Sequence, residues 1–299
     1  MSARFLKSAL KSVDQWMQKN SDTHAFATKA NYTSDLKRCM RELHQLGSNI
    51  SHIKDLKPKQ ITQLITHWQK THLSIGTIKN RLSKIRFVFN TLNKNHCLPK
   101  NNRDLGLSQR NYIPEKNKAI NHVNFNLITD PYIASSLKLQ QLFGLRREES
   151  IKFKPHLADH GHYIELQPSW TKGGIGRQVP ITSPLQRKFL TELKQLIPKN
   201  QSLIPFNKNY RQQLNTFVTQ TRNAGLKNCH GLRHAYAQNR YQQLTQILSK
   251  QEGWLCPMQG GKKREALSSF EKYIDRQARQ LLSYELGHSR IAITKIYCG

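Results

Sequence analysis

Four short stretches hold the side chains able to do covalent chemistry: GLRREES with Arg146, SWTKGGIGRQVPIT with Lys172, CHGLRHAYA with His230 and Arg233, and LGHSRIAITKIY with His288 and Tyr297. Transfer of a phosphodiester onto protein requires a nucleophile, a charge sink and an acid for the departing oxygen, which a phenol, two guanidiniums, an ammonium and two imidazoles could supply. Tyr297 would be the nucleophile, although a phenol with a pKa of about 10 is a weak one until nearby cations favour its phenolate. Arg146 and Arg233 could hold non-bridging phosphate oxygens through the guanidinium fork and stabilise charge developing in the transition state. His230 and His288 could add hydrogen-bond donors or manage the tyrosyl proton. Lys172, in a glycine-rich turn, could protonate a departing 5′ oxygen. Taken one at a time, each has a plainer reading. Arg146 stands three residues before Glu149, an ordinary helical ion pair. Lys172 is a solvated turn residue, His230 and Arg233 merely share a helical face, His288 opens a helix, and Tyr297 is a bystander at a forgiving terminus.

The remainder of the chain narrows the choice. Lys plus Arg total 48 against 18 Asp plus Glu, a net charge of +30. Residues 1–120 carry 22 basic and 7 acidic side chains and residues 121–299 carry 26 and 11, so each portion stands at +15. A basic tail on a neutral enzyme would be lopsided, whereas an even excess suits a chain that presses both regions against a polyanion. Double-stranded DNA is the expected partner. A membrane is not, because no apolar run nears the roughly 20 residues of a span and neither a lipidation motif nor a concentrated polybasic helix is present. The amino terminus has an amphipathic pattern without the apolar region of a secretory signal. Five scattered cysteines with no Cys-x-x-Cys pair fit a reducing cytoplasm better than a disulfide framework. Cys229, His230, Cys256 and His288 are too dispersed to predict a zinc site, and there is no Walker A motif, so no cofactor is expected.

The elements that must position these groups follow from periodicity. Length 299 with 37% hydrophobic residues suits two domains with real cores. Helices are predicted over about 4–19 and 23–46, the latter stopped by Gly47, with a third beginning after Pro58 and burying Ile61, Leu64, Ile65 and Trp68. A fourth aligns Ile78, Leu82, Ile85, Val88, Phe89 and Leu92. Its remaining face carries Lys79, Arg81, Lys84 and Arg86, read as DNA-phosphate contacts or as a plain solvated face. An irregular stretch from 99 to 120, with Pro99 and Pro114, holds the linker. The division expected is a helical domain 1–110, a linker 111–120 and a second domain 121–299. In that domain 126–150 reads as helix, SIKFKPH, HYIELQ and RQVPIT read as strands, and PSWTKGGIG joins the last two as a hairpin. Helices resume from about 184. The fold class is therefore mostly α with a small antiparallel sheet.

An Arg, a hairpin Lys, His-x-x-Arg, Gly-His and then a Tyr nine residues later form an order that resembles the tyrosine recombinase (phage integrase) family, best over about 140–299. Residues 4–95 resemble that family's smaller core-binding domain, and Gly-Leu-Arg-His with the Tyr-Cys-Gly ending is similar to integrases of prophages and other mobile elements. The resemblance implies a helical core-binding domain plus an α+β catalytic domain. It implies DNA cleavage and rejoining through a 3′-phosphotyrosine and a free 5′-hydroxyl, one phosphodiester being exchanged for another without ATP or metal. It assigns catalysis to Tyr297, Arg146, Lys172, His230, Arg233 and His288. It also implies a homotetramer on synapsed DNA sites, an accessory DNA-bending protein and a bacterial, cytoplasmic, nucleoid-associated setting. Arg177 is expected to contact DNA; Arg147 and Arg290 are phosphate contacts or plain surface. His234 is expected to be a buried hydrogen-bonding residue and Glu149 to orient an arginine or support the fold. The rival readings are a catalytically silent DNA-binding regulator with the same fold and a type IB topoisomerase or resolvase.

Two features depart from the family pattern. Fifty-four residues separate Arg233 from His288, and the surplus, about 248–273, contains a Gly-Gly-Lys-Lys-Arg run that predicts an exposed, basic, mobile insert. It is either neutral decoration or an extra DNA or subunit contact. Only Cys298 and Gly299 follow Tyr297, so the tail by which many relatives dock on a neighbouring subunit is missing or replaced. A weakly anchored end is expected, from which the tyrosine could move into and out of register.

Overall fold

The computed structural model describes residues 2–299. Its contacts divide into two compact units, Met1–Asn111 and Tyr112–Gly299. Each has its own apolar core, with no helix among the described residues long and apolar enough to cross a membrane. The architecture is mostly helical with one antiparallel strand pair, the class the sequence predicted.

The first unit is built from α1 (Ser2–Asn20), α2 (Phe26–Gln45), α3 (Pro58–Lys70) and α4 (Ile75–Thr91). Pro58 opens α3 at the position where a missing N–H costs nothing. Ser74 caps α4 by accepting from the Thr77 amide at 3.3 Å. Ile78, Leu82, Ile85, Val88 and Phe89 of α4 are buried against Trp16, Leu36, Leu43 and Trp68, as the helical spacing requires. The basic face of α4 is the first correction. Arg81 and Lys84 are only 4% and 6% exposed. Arg81 Nη1 donates to Glu42 Oε1 at 3.0 Å, and Lys84 pairs with Asp35 and donates to Asn31 Oδ1 at 2.5 Å. Asp35 and Glu42 stand two turns apart on α2 and so reach both cations. Arg86 is half-buried and donates to Pro99 O and Asn102 Oδ1, each at 2.9 Å. Of the four, only Lys79 keeps the partly exposed setting expected of it, apart from any such pair.

The second unit contains α5 (Pro131–Phe143), α6 (Arg147–Lys152), α7 (Pro155–Ala158), the strands β1 (Tyr163–Leu166) and β2 (Arg177–Pro180), α8 (Pro184–Leu196), α9 (Tyr210–Asn223), α10 (His230–Ser249), α11 (Ser269–Glu285) and α12 (Lys295–Cys298). Residues 112–120 belong to it: the Ile120 amide donates to Gly231 O at 2.9 Å. The strands pair antiparallel, Tyr163 opposite Pro180 and Leu166 opposite Arg177. SIKFKPH is not a strand. It is the end of α6 and the start of α7, with Phe153 extended between them, because Pro155 restarts a helix and a run this short cannot separate strand from buried helix by period. Nor is 126–150 one helix, since Asp130 and Pro131 begin α5 and Gly144 ends it.

The surplus segment is not a mobile insert as a whole. It brings apolar side chains of its own: Trp254 packs on the core and donates from Nε1 to Tyr241 Oη at 3.1 Å, and Cys256 is fully buried. Met258 O accepts from Asn117 Nδ2 at 3.1 Å. The basic run from Lys262 to Arg264 keeps the exposed character expected. The carboxyl end is likewise anchored rather than loose. Tyr297 is 5% exposed and Cys298 fully buried, and Gln238 Nε2 holds the Tyr297 carbonyl at 2.9 Å.

Candidate active site

The site gathers around the first turn of α10, which carries His230 and, one turn on, Arg233. Gly144 lets α5 end against this helix: its φ is +62°, and a Cβ there would lie 2.3 Å from the Tyr236 ring. The turn delivers Arg146 to the head of α6. There Glu149 accepts from the Arg146 amide at 2.7 Å and from its guanidinium at 2.6 Å. At the far end of α11 the chain makes a Schellman closure, the Gly287 amide bonding Tyr284 O and the His288 amide bonding Ser283 O. Gly287 takes a φ of +65°. The Gly-His pair is thus a helix stop that aims an imidazole, not a helix start.

Arg233 is wholly buried and is the hub. Its two terminal nitrogens donate to Gly144 O and Leu286 O, and Nη2 also lies 3.3 Å from His288 Nε2. Its Nε donates to Tyr297 Oη at 3.3 Å, and Tyr297 Oη lies 3.5 Å from His230 Nε2. The Tyr297 ring stacks on His288 at 5.5 Å and tilts against His234 at 4.7 Å. Arg146 Nη2 reaches Gly287 O at 3.2 Å, closing the ring of contacts. The structure therefore brings together Arg146, His230, Arg233, His288 and Tyr297. Lys172 does not join them; it lies exposed in the loop between β1 and β2, on the rim of a cleft of about 760 Å³ that Arg146 and His230 also line.

Arg177, expected at a DNA surface, is inside. It is 6% exposed, grips Glu149 through both terminal nitrogens at 2.9 and 2.7 Å, and donates from Nε to Glu285 O at 2.8 Å. The strand alternation that buries Val179 also buries Arg177 two residues earlier, a signal present in the sequence. Arg222 and Lys227, together with Arg147, line the cleft as well. Positive charge is their only sequence mark, and in a chain this basic it singles out nothing.

Electrostatics follow from this crowding. Burial alone would raise Glu149, but the hydrogen bonds and charge of Arg177, then the charges of Arg233 and Arg146, hold its carboxyl down at about 2. Burial, opposed by Tyr297 and reinforced by Arg146 and Arg177, lowers Arg233 to about 10. His230 opens on the cleft, yet the protein behind its ring desolvates it, and Arg233 and Arg146 add to that, pushing it down to about 4. Burial and the same two arginines bring His288 to about 3, while burial and His230 bring His234 to about 4. All three imidazoles are neutral at pH 7 and able to accept a proton. His288 Nε2 accepts from Arg233, which leaves its buried Nδ1 without a partner among the described residues. No cluster of three or more His, Cys, Asp or Glu suited to a metal ion occurs among the described residues.

Residues 10–97 match the phage integrase N-terminal family and residues 112–239 match the integrase family. No curated protein sequence matches significantly. Among solved structures the chain is similar to XerH site-specific recombinase bound to palindromic difH substrate, at 16% identity and a TM-score of 0.59, covering 97% of this chain and 81% of that one. A lambda integrase dimer bound to a COC′ core site is similar at 12% identity and a TM-score of 0.58, with 97% and 94% covered. The Tn1549 transposon integrase in complex with circular intermediate DNA gives 13%, 0.51 and the same coverage. At such identities the likeness is one of fold.

Proposed function

The chain belongs to the tyrosine recombinase (phage integrase) family, and from that membership we propose that it is a site-specific DNA recombinase that cuts and rejoins double-stranded DNA through Tyr297. The observation that carries this reading is the phenol itself, held within 3.3 Å of a buried arginine and 3.5 Å of a neutral imidazole. The DNA-bound state of the XerH, lambda and Tn1549 relatives supports DNA as the polymer. The transposon origin of one of them supports integration or excision of a mobile element as the use.

A phosphodiester entering the cleft meets Arg146, with Arg233 and His288 behind it. Its negative charge raises the affinity of His230 for a proton. Tyr297 Oη attacks phosphorus, its proton passing to His230 Nε2, and the bond to the 5′ oxygen breaks with protonation by Lys172. A 3′-phosphotyrosine and a free 5′-hydroxyl result. A 5′-hydroxyl of a partner strand then attacks the same phosphorus, restores a phosphodiester and returns the phenol. Bond energy is conserved through the tyrosyl ester, so these steps draw on no nucleotide cofactor. The unit of residues 1–111 supplies further phosphate contacts, Lys79 among them. Two synapsed sites call for four copies of the chain, and an accessory DNA-bending protein would help to bring them together.

A substrate nicked just beside the cleavage point tests this, because loss of the short 5′-ended fragment traps the covalent complex. Wild-type protein is expected on the 3′ end, and Tyr297→Phe is expected to bind DNA without attaching. Equal trapping by the Phe variant removes Tyr297 from the chemistry, and no trapping by wild type favours the silent regulator. Replacing the bridging 5′ oxygen by sulfur should restore cleavage to Lys172→Ala, since a thiolate leaves without a proton, and leave Arg233→Ala defective. Failure of sulfur to rescue Lys172→Ala would move the acid role elsewhere.

A further inference from the structure

Two groups that strand exchange does not use lie directly behind the proposed nucleophile. Cys298 follows Tyr297 in the chain, and Cys256 precedes the 257–259 turn of the surplus segment. Both are free thiols and both are fully buried. The two thiols sit in the same apolar core and each perturbs the other's ionisation. Cys256 Sγ donates to Gln259 Oε1 at 3.4 Å, and Cys298 Sγ donates to Ala237 O at 3.9 Å.

The backbone around the pair is braced from both sides. A Cβ on Gly299 would lie 2.9 Å from Pro257 Cβ, so the chain end rests against the turn. Asn117 Nδ2 donates to Met258 O at 3.1 Å. Gln238 Nε2 donates to Asn117 Oδ1 at 2.8 Å and to Tyr297 O at 2.9 Å. The surplus turn and α12 are therefore held as one piece, with the two thiols in the seam. Two apolar side chains would fill such a seam equally well, but two thiols in contact can also be joined.

We infer that Cys256 and Cys298 form an oxidisable dithiol site whose disulfide latches α12, and with it Tyr297, onto the surplus segment. With Tyr297 5% exposed and bonded to Arg233, α12 has to shift for the phenol to meet a phosphate in the cleft. The same shift admits an oxidant to the thiols. The oxidant class is a peroxide. One cysteine thiolate attacks a peroxide oxygen, the O–O bond breaks and a sulfenic acid forms with release of hydroxide. The second thiol then attacks the sulfenic sulfur, the S–S bond forms and water leaves. Two thiols are oxidised and one peroxide is reduced to two waters. The neighbouring Cys298 draws the Cys256 thiol below its ordinary value while Cys298 itself is raised, which makes Cys256 the first to react. A thiol reductant reverses the step.

The effect on cleavage rests on the reading of Tyr297 given above, while formation of the disulfide does not. Full-length protein is treated with hydrogen peroxide, alkylated and mapped by peptide mass, and trapping on the nicked substrate is timed before and after dithiothreitol. The result expected is a Cys256–Cys298 cross-linked peptide lighter by two hydrogens. Trapping should be slower by about tenfold or more and recover on reduction, and Cys256→Ser should trap at a peroxide-insensitive rate. Should serine at this buried position prevent folding, Cys256→Ala takes its place. Oxidation of the half-buried Cys97 without any cross-link overturns the dithiol site. A cross-link that leaves trapping unchanged overturns the latch. Equal peroxide inhibition of Cys256→Ser overturns it too, and assigns the effect to Cys229 beside His230. If reduced wild-type protein does not trap at all, the recombinase reading fails, and the peptide map still decides whether the dithiol exists.

Discussion

The N-terminal unit and the candidate site of the C-terminal unit bury positive charge in opposite ways. In the N-terminal unit each buried cation has its own carboxylate: Arg81 is matched to Glu42, and Lys84 to Asp35. Elsewhere in the C-terminal unit Arg240 likewise has Glu285, but at the candidate site Arg146 and Arg177 divide a single carboxylate, Glu149, and the wholly buried Arg233 has none. Its partners are two backbone carbonyls, a phenol and an imidazole. Unpaired buried charge is costly unless an opposite charge arrives. The first arrangement neutralises itself and serves packing, while the second keeps a cationic excess that the proposed phosphate would relieve. Net charge does not tell the two apart, since both portions of the chain stand at +15. Local balance does.

The sharpest way to break this contrast is to remove one arginine from each unit. Arg233→Ala is expected to lower the cleavage rate by about a thousandfold or more, because it deletes the buried charge facing the reacting groups. Arg81→Ala is expected to destabilise its unit by about 3 kcal/mol, leaving Glu42 unpaired, with cleavage per folded molecule unchanged. Denaturant melts beside single-turnover trapping measure both. Comparable loss of per-molecule cleavage in the two variants would erase the distinction.

Glu149→Gln probes the shared carboxylate. Leaving Arg177 and Arg146 facing a neutral amide should cost on the order of 3 kcal/mol in a denaturant melt. Because the Glu149 pKa is depressed on folding, its contribution is present above the ordinary carboxylate value of 4.5 and is lost as pH falls towards about 2. Wild type should show that acid limb and the Gln variant should lack it.

A gentler effect belongs to the three site histidines, whose pKa values fall on folding from 6.5 to about 4, 4 and 3. The unfolded chain takes up protons that the folded unit refuses, so stability is complete above pH 6.5 and declines as pH drops through 6.5 towards 4. Thermal melts across that range should show the decline, and His234→Phe should flatten part of it. An unchanged slope would mean that the imidazoles are more solvated than their packing implies. The smallest effect is Lys79→Ala. It should weaken DNA binding modestly and reduce the slope of log K against log salt by about 0.9, one phosphate contact. No change in slope would place Lys79 away from DNA.

Much of this molecule is set by its sequence through local rules. The order Arg146, Lys172, His230, Arg233, His288, Tyr297 points to the proposed chemistry by type and spacing. The helical period of Ile78, Leu82, Ile85 and Phe89 marks a buried face, and the glycines around Lys172 mark a turn, because periodicity and turn preference act over a few residues. Tertiary structure alone decided which charges turn inward. Arg81 and Lys84 look like a DNA-facing stripe until α2 brings Asp35 and Glu42 to them, and Arg177 looks like a phosphate contact until α6 brings Glu149. Trp254, Cys256 and Met258 turn an apparently mobile insert into packed wall by finding α10 and α12, and those contacts also hold Tyr297 buried where a weakly anchored end was expected. The physical reason is common to all of these cases: whether a side chain can be buried depends on the partner that satisfies it, and that partner comes from a distant part of the chain.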